Sequence, residues 1–120
     1  MVSIRRQVRF CDSTTRLALI RVLPRESCGA VRASLTLLTV LQKQRVVLSV
    51  LSVRGSARTA KVDAIRHVRR CYRERIVQLH NTYKNNPDDN GDTRTTRRKE
   101  TDRICRSMEE TLDIIVNIDY

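Results

Sequence analysis

The segment from residue 62 to residue 83 restricts the fold of this chain more than any other. Two series of residues run through it at heptad spacing. The first series is Val62, Arg69, Ile76 and Tyr83, and the second is Ile65, Tyr72 and Leu79. Arg69 is the only interruption of this apolar seam. On an α-helix the two series form one stripe, which has to be buried against another surface. The sequence therefore predicts a long helix over residues 62–83 that packs side by side with other helices.

A second helix is predicted downstream of the first. Residues 81–93 are rich in Asn, Asp, Pro and Gly, which end helices. They predict a solvated loop in which Asp92 or Thr93 caps the next helix. Apolar residues then return at helical spacing at Ile104, Met108, Leu112 and Ile115, and Ile114 and Ile118 widen the stripe. Because the connection is short, the two helices are expected to be antiparallel.

The amino-terminal part is less regular. Residues 1–34 are interrupted by Pro24 and Gly29, and within them residues 17–23 favour a short strand. From residue 35 to residue 53, β-branched residues favour a strand, but apolar residues also recur at helical spacing. Periodicity alone therefore leaves both structures open for residues 35–53.

The charge of the chain indicates a polyanionic partner. Lys and Arg number 24 against 13 Asp and Glu, which gives a net charge of +11. A field of this sign attracts phosphate-rich partners, nucleic acid first and anionic membrane second. The arginine-rich, acid-poor start is typical of an organellar transit peptide, and a basic or disordered segment fits the same composition. We therefore expect residues 1–34 to be a basic leading segment and residues 35–120 to form a helical domain.

No catalytic or metal-binding motif is recognisable. The four cysteines lack C-x-x-C spacing, and neither histidine completes a zinc quartet with them. Nucleophile-elbow, phosphate-loop and zinc-protease motifs are absent from the sequence. The most apolar stretch carries Lys43 and Arg45 at its centre, which opposes a lipid-spanning helix. We predict a protein that is not an enzyme, with free thiols, no metal site, no cofactor, no small-molecule substrate and no transmembrane segment.

Four arginines of the first helix are the candidate binding residues. They are Arg66, Arg69, Arg70 and Arg73. At this spacing their guanidinium groups project along one edge of a helix, where they repel each other unless an anion lies between them. Guanidinium pairs its donors with phosphate oxygens, and this makes binding strong and salt-sensitive. The alternative is a solvated face with local pairs, such as Glu74 with Arg70, or Asp63 with Arg66 or His67.

The order of residues around these arginines resembles a known family. The stretch Ala64-Ile65-Arg66-His67-Val68-Arg69-Arg70 is similar to the A-I-R-N-I-R-R stretch of ribosome recycling factors. Looser matches extend over roughly residues 45–118, and they are Arg45, Leu48, Ile76, Leu79, Arg98, Ile104, Arg106, Leu112 and Ile115. Residues 19–25 resemble the segment that closes the small β domain of that family. The opening helix and nearly all of that β domain have no counterpart.

The resemblance implies both a fold and a function. The fold would be mainly α, a long antiparallel helical hairpin or an incomplete three-helix bundle, with an irregular amino-terminal segment that could be a remnant of the β domain. Because the bundle needs a third helix, we expect residues 35–53 to be helical. The function would be a translation factor that assists ribosome recycling after termination, in mitochondria or, alternatively, in the cytoplasm.

The implied partners are the large ribosomal subunit and a GTP-hydrolysing elongation factor. The four arginines would bind the rRNA of that subunit. Two other hypotheses stay open. One is a basic helical interaction protein that oligomerises through its apolar seams without binding ribosomes, and the other is a membrane-surface protein that uses residues 35–53.

Overall fold

The computed structural model describes residues 3–85 and 91–118 and shows an α+β fold. Its elements, in chain order, are β1 (Arg5–Asp12), β2 (Leu17–Leu23), a single 3₁₀ turn (Arg25–Ser27), α1 (Cys28–Leu37), β3 (Val40–Leu41), β4 (Gln44–Arg45), α2 (Ala57–Asn85) and α3 (Gly91–Val116). Strands β1 and β2 form one antiparallel hairpin, and β3 and β4 form a second, very short one. The strand predicted over residues 17–23 is confirmed as β2.

The turn between β1 and β2 is held by one carboxylate. Asp12 accepts hydrogen bonds from the Thr15 hydroxyl at 2.6 Å and the Thr15 amide at 3.0 Å, and a longer one from the Thr14 amide at 3.4 Å. Partial burial by itself raises the pKa of Asp12, but these hydrogen bonds outweigh it and leave the pKa below its usual value. The turn is therefore most stable with Asp12 ionised.

Helices α2 and α3 form the predicted antiparallel pair. Helix α2 starts after Ser56, whose hydroxyl accepts the amide of Thr59 at 3.3 Å, as expected of an N-capping serine. Three polar contacts join the helices, one near each end and one in the middle. Lys61 Nζ donates to the Val116 carbonyl at 3.1 Å, the hydroxyls of Tyr72 and Ser107 lie 3.0 Å apart, and the Tyr83 hydroxyl donates to a Glu100 carboxylate oxygen at 3.2 Å. The long helix predicted over residues 62–83 and the second helix after it are confirmed.

The core lies between the β1–β2 hairpin and the two long helices. Its buried side chains are Phe10, Leu17, Ala64, Val68, Tyr72 and Ile115. On α2 the buried row therefore runs through positions 64, 68 and 72. The predicted seam is only partly right, because Val62 is 42% exposed and Arg69 is exposed, while Tyr72 is buried and its neighbours in the seam are half-buried.

The predicted mainly α fold, a helical hairpin or incomplete three-helix bundle, is wrong. The hairpin, not a third helix, covers the apolar face of α2 and α3, because it contributes Phe10 and Leu17 to the core. The seam is thus covered within the chain. This removes the reason to expect a helical protein that oligomerises through unpaired seams.

The helix predicted over residues 35–53 is also not formed. Helix α1 ends at Leu37, and β3 and β4 follow with a tight turn in which Gln42 and Lys43 have φ of 48° and 64°. Residues 46–54 form neither helix nor strand, and Val47 is 97% exposed. The high β-branched content disfavours a helix here, since these side chains restrict χ1 in helices. Among the described residues, no helix is both long enough and apolar enough to cross a membrane.

The connection between α2 and α3 is shorter than the loop predicted over residues 81–93. Helix α2 continues to Asn85 and α3 begins at Gly91. Residues 86–90 and the side chains of Asp92 and Thr93 lie outside the described part of the chain, and so does the predicted cap. The division of the chain after residue 34 stays a prediction.

Candidate nucleic-acid interface

The four predicted arginines form one exposed edge of α2, named here the α2 edge (Arg66, Arg69, Arg70 and Arg73). All four are exposed. At roughly 100° per residue they fall within an arc of about 100°, on the opposite side of the helix from the buried row at positions 64, 68 and 72. The core thus fixes the rotation of α2 and turns the arginines toward solvent.

Local pairing does not neutralise the α2 edge. Asp63, the nearest acidic candidate, instead accepts hydrogen bonds from Arg54 Nε at 2.5 Å and the Ser52 hydroxyl at 2.9 Å. These two hydrogen bonds, and then the charges of Arg54 and Arg66, hold the pKa of Asp63 below its usual value. In the described ranges, no carboxylate lies within ion-pair distance of the four guanidinium groups.

One contact does order part of the α2 edge. Arg70 lies 3.1 Å from His67 Nδ1, and the other ring nitrogen of His67 lies 3.5 Å from Cys71 Sγ. A guanidinium only donates, so His67 Nδ1 is the acceptor in this contact. This contact restricts the position of one guanidinium group on the α2 edge.

A second basic site, which the sequence analysis missed, lies on the β1–β2 hairpin. It is a concave pocket of about 240 Å³, named here the hairpin pocket, and it is lined by Arg5, Gln7, Arg9, Arg21 and Leu23. The only sequence signal was the alternation of Arg5, Gln7 and Arg9, which on a strand places three side chains on one face. A third basic surface lies between α2 and α3, where Arg97 hydrogen-bonds to His80 Nδ1.

The described residues hold no group of three or more His, Cys, Asp or Glu side chains placed to bind a metal ion. All four cysteines are unpaired thiols. The arginines of the two basic sites carry guanidinium groups, which bind the oxygens of anions.

Comparison with known proteins places the chain in a family. The model of the Rpp14/Pop5 family matches residues 1–65, which extend from the start of the chain through the β1–β2 hairpin into α2. No curated protein and no solved structure gave a significant match.

This match corrects the predicted kinship and its consequences. Membership of the ribosome recycling factors is wrong, and so are the function in ribosome recycling and the partners implied by it, the large ribosomal subunit and the elongation factor. The seven-residue stretch at 64–70 was not specific, because any helix with one buried and one basic side repeats Arg and Ile at such spacing. The family match covers more than half of the chain, which therefore belongs to the Rpp14/Pop5 family of ribonuclease P subunits.

Proposed function

We propose that this chain is an RNA-binding protein subunit of ribonuclease P, the ribonucleoprotein enzyme that acts in tRNA processing. Its partners would be the RNA of that enzyme and other protein subunits. Family membership supports this proposal, and the observation that carries it beyond the family is the α2 edge, four exposed arginines without carboxylate partners in the described ranges.

The α2 edge suits binding to folded RNA. The arginines sit on a helix of 29 residues whose opposite side is packed in the core, so little reorganisation is needed when they meet phosphates. Each phosphate that they neutralise releases counterions, which favours binding at low salt. Recognition through bases is less suited to this chain, because it has one Phe, three Tyr and no Trp and stacking needs aromatic surfaces.

In this proposal the chain contributes binding and not chemistry. The catalytic groups would belong to other parts of the ribonucleoprotein, and the protein would neutralise RNA phosphates that otherwise repel each other. A mitochondrial location stays a prediction from the arginine-rich start of the chain, and an import assay with isolated mitochondria tests it.

The experiment is a binding titration of the purified chain with ribonuclease P RNA across a salt series. We expect wild-type affinity to fall steeply as salt rises. The double variant Arg66→Glu with Arg70→Glu should lose about 100-fold in affinity, because two charge-assisted contacts are each replaced by repulsion.

The matched control is Arg103→Glu with Arg106→Glu, which makes the same change in net charge at two exposed positions of α3. We expect this control to lose much less affinity than the α2 variant. Circular dichroism should show unchanged helix content in both. If the wild-type chain does not bind the RNA, the proposed function is wrong. If both variants lose affinity equally, the α2 edge is not the contact.

A further inference from the structure

The hairpin pocket has the composition of an anion site. Three of its five lining residues are arginines, one is a glutamine, and none is acidic. Its volume of about 240 Å³ lies below the roughly 300–1,000 Å³ of pockets that hold drug-sized ligands. The pocket therefore suits a small, negatively charged group.

The register of the hairpin explains why these side chains converge. Arg5 pairs with Leu23 and Gln7 with Arg21, and residues directly opposite each other in an antiparallel pair share a face. The register then shifts between Val8 and Phe10, so Arg9 is the extra residue of a β-bulge. Alternation along β1 already places Arg9 on the face of Arg5 and Gln7, and all three side chains line the pocket.

The bulge changes the face on which the next residue of β1 lies. Phe10 pairs with Leu19, whereas Val8 pairs with Ile20, so Phe10 joins the face that carries Arg5, Gln7 and Arg21. One end of this face is therefore apolar and packed on the helices, while the other end is basic. The core holds the strands that form the pocket, which is what a preorganised binding site requires.

One of the arginines that line the pocket has an unsatisfied donor. The Nε atom of Arg9 is buried and has no hydrogen-bond partner. A buried donor without a partner is rare in folded proteins and costs free energy. Arg5 and Arg21 line the same pocket and bring two further positive charges. An anion between the three side chains would relieve the repulsion among their guanidinium groups.

We propose that the hairpin pocket binds a backbone phosphate of RNA and is a second RNA-binding site, separate from the α2 edge. That the ligand is RNA rests on the proposed function, whereas the binding of phosphate does not depend on it. A phosphodiester offers two unbridged oxygens, which a guanidinium fork and a neighbouring donor can bind together. Arg9 and Arg21 supply the forks, and the Gln7 amide supplies a neutral donor.

The first experiment uses the full chain and inorganic phosphate alone. The Arg5 Nε–Hε signal and the Gln7 side-chain amide signals, which are present in the wild-type chain and in every variant, are followed by NMR during titration with phosphate and, separately, with sodium chloride at equal ionic strength. We expect saturable shifts with phosphate only. These shifts should be lost in the double variant Arg9→Gln with Arg21→Gln and kept in the control Arg6→Gln with Arg32→Gln. Arg6 lies on the other face of β1, because it pairs with Val22. The absence of a saturable shift in the wild-type chain overturns the proposal without any variant.

The second experiment measures affinity for ribonuclease P RNA across a salt series. The pocket variant should bind about tenfold more weakly for each arginine removed. Its slope of log affinity against log salt should be shallower by about 1 for each phosphate that the variant no longer neutralises. The control should change much less.

The outcomes of the second experiment separate the two proposals. If RNA binds the pocket variant and the control equally, the pocket takes free phosphate and not RNA, and the proposal fails while the proposed function stands. If the wild-type chain binds no RNA, the proposed function fails, and the phosphate titration still decides whether the pocket binds phosphate.

Discussion

The two arginine clusters of this protein present the same functional group in different ways. The α2 edge is an exposed row on the outside of a helix, and its geometry is set by the helical repeat. The hairpin pocket is concave, and one of its donors, Arg9 Nε, is buried without a partner. An exposed row acts mainly through charge, whereas a pocket can also select the shape and the donor pattern of its ligand.

The two clusters also depend on the fold to different extents. The arginines of the α2 edge stay neighbours wherever the helix forms, because they are three or four residues apart in the chain. The hairpin pocket requires the register of two strands, one β-bulge and the packing of Phe10 on the helices. Changes to the β1–β2 hairpin should therefore affect the pocket before they affect the α2 edge.

The largest effect is expected from Phe10→Ala, which removes the side chain that anchors the hairpin on α2 and α3. Phe10 is 8% exposed in the core, and truncation of a buried Phe costs about 3–5 kcal/mol of unfolding free energy. Urea denaturation followed by circular dichroism measures this loss. The control is Val8→Ala on the same strand, where the side chain is 65% exposed and a change within about 0.5 kcal/mol is expected. A loss below about 1 kcal/mol in Phe10→Ala would show that the core does not hold the pocket.

The next effect distinguishes the charge of an arginine from the shape of its guanidinium group. Arg9→Lys keeps the charge of the pocket but removes the guanidinium fork, so we expect RNA affinity to fall by about three- to tenfold. Arg70→Lys makes the same change on the exposed α2 edge and should alter affinity by less than about twofold, since exposed contacts depend mostly on charge. Fluorescence anisotropy with labelled RNA at constant salt measures both. Equal losses in the two variants would mean that the clusters bind RNA in the same way.

A smaller effect concerns the pH dependence of the hairpin. The pKa of Asp12 is lowered in the folded state, so its stabilising effect is complete above the pKa of the unfolded chain and is lost as the pH falls through the folded pKa. Asp12→Asn should lower the unfolding free energy by about 1 kcal/mol at pH 7. This difference from the wild-type chain should shrink on acidification below about pH 4. Urea denaturation at a series of pH values tests this, and a difference that stays constant down to about pH 2 would contradict it.

The smallest effect is expected in the turn between β3 and β4, which belongs to neither cluster. Gln42 has φ of 48°, a left-handed conformation that costs a non-glycine residue about 1 kcal/mol or more. Gln42→Gly should raise the unfolding free energy by up to about 1 kcal/mol, since glycine adopts this conformation without strain. The net charge is unchanged, so RNA affinity should stay at the wild-type value. A change in affinity would show that this turn also contacts RNA.

Helical features were the most predictable part of this chain. The apolar repeat predicts the two long helices, and the spacing of Arg66, Arg69, Arg70 and Arg73 places them on one edge without any tertiary information. Both inferences are local, because residues three or four apart in a helix are always neighbours. The strand at residues 17–23 was predictable for a similar reason, since its residue types and alternation are local signals.

Long-range features were not predictable in the same way. Neither the β-bulge at Arg9 nor the packing of the hairpin on α2 leaves a distinct pattern in the sequence, since both depend on which surfaces meet. Residues 46–53 show this limit most clearly, because they are as apolar as the buried seam and yet are largely exposed. Apolar content indicates what could be buried, but burial also needs a complementary surface within reach.

The sequence by itself determined a strongly basic chain, two amphipathic helices and a row of arginines on one of them, because these properties follow from composition and from the helical repeat. Only the tertiary structure decided that a β-hairpin and not a third helix covers the apolar seam, and that Arg5, Arg9 and Arg21 converge in a pocket. The physical reason is that the apolar seam on α2 and α3 needs cover but does not specify which element supplies it. Phe10 and Leu17 fill that space from strands whose pairing is set by contacts between distant parts of the chain.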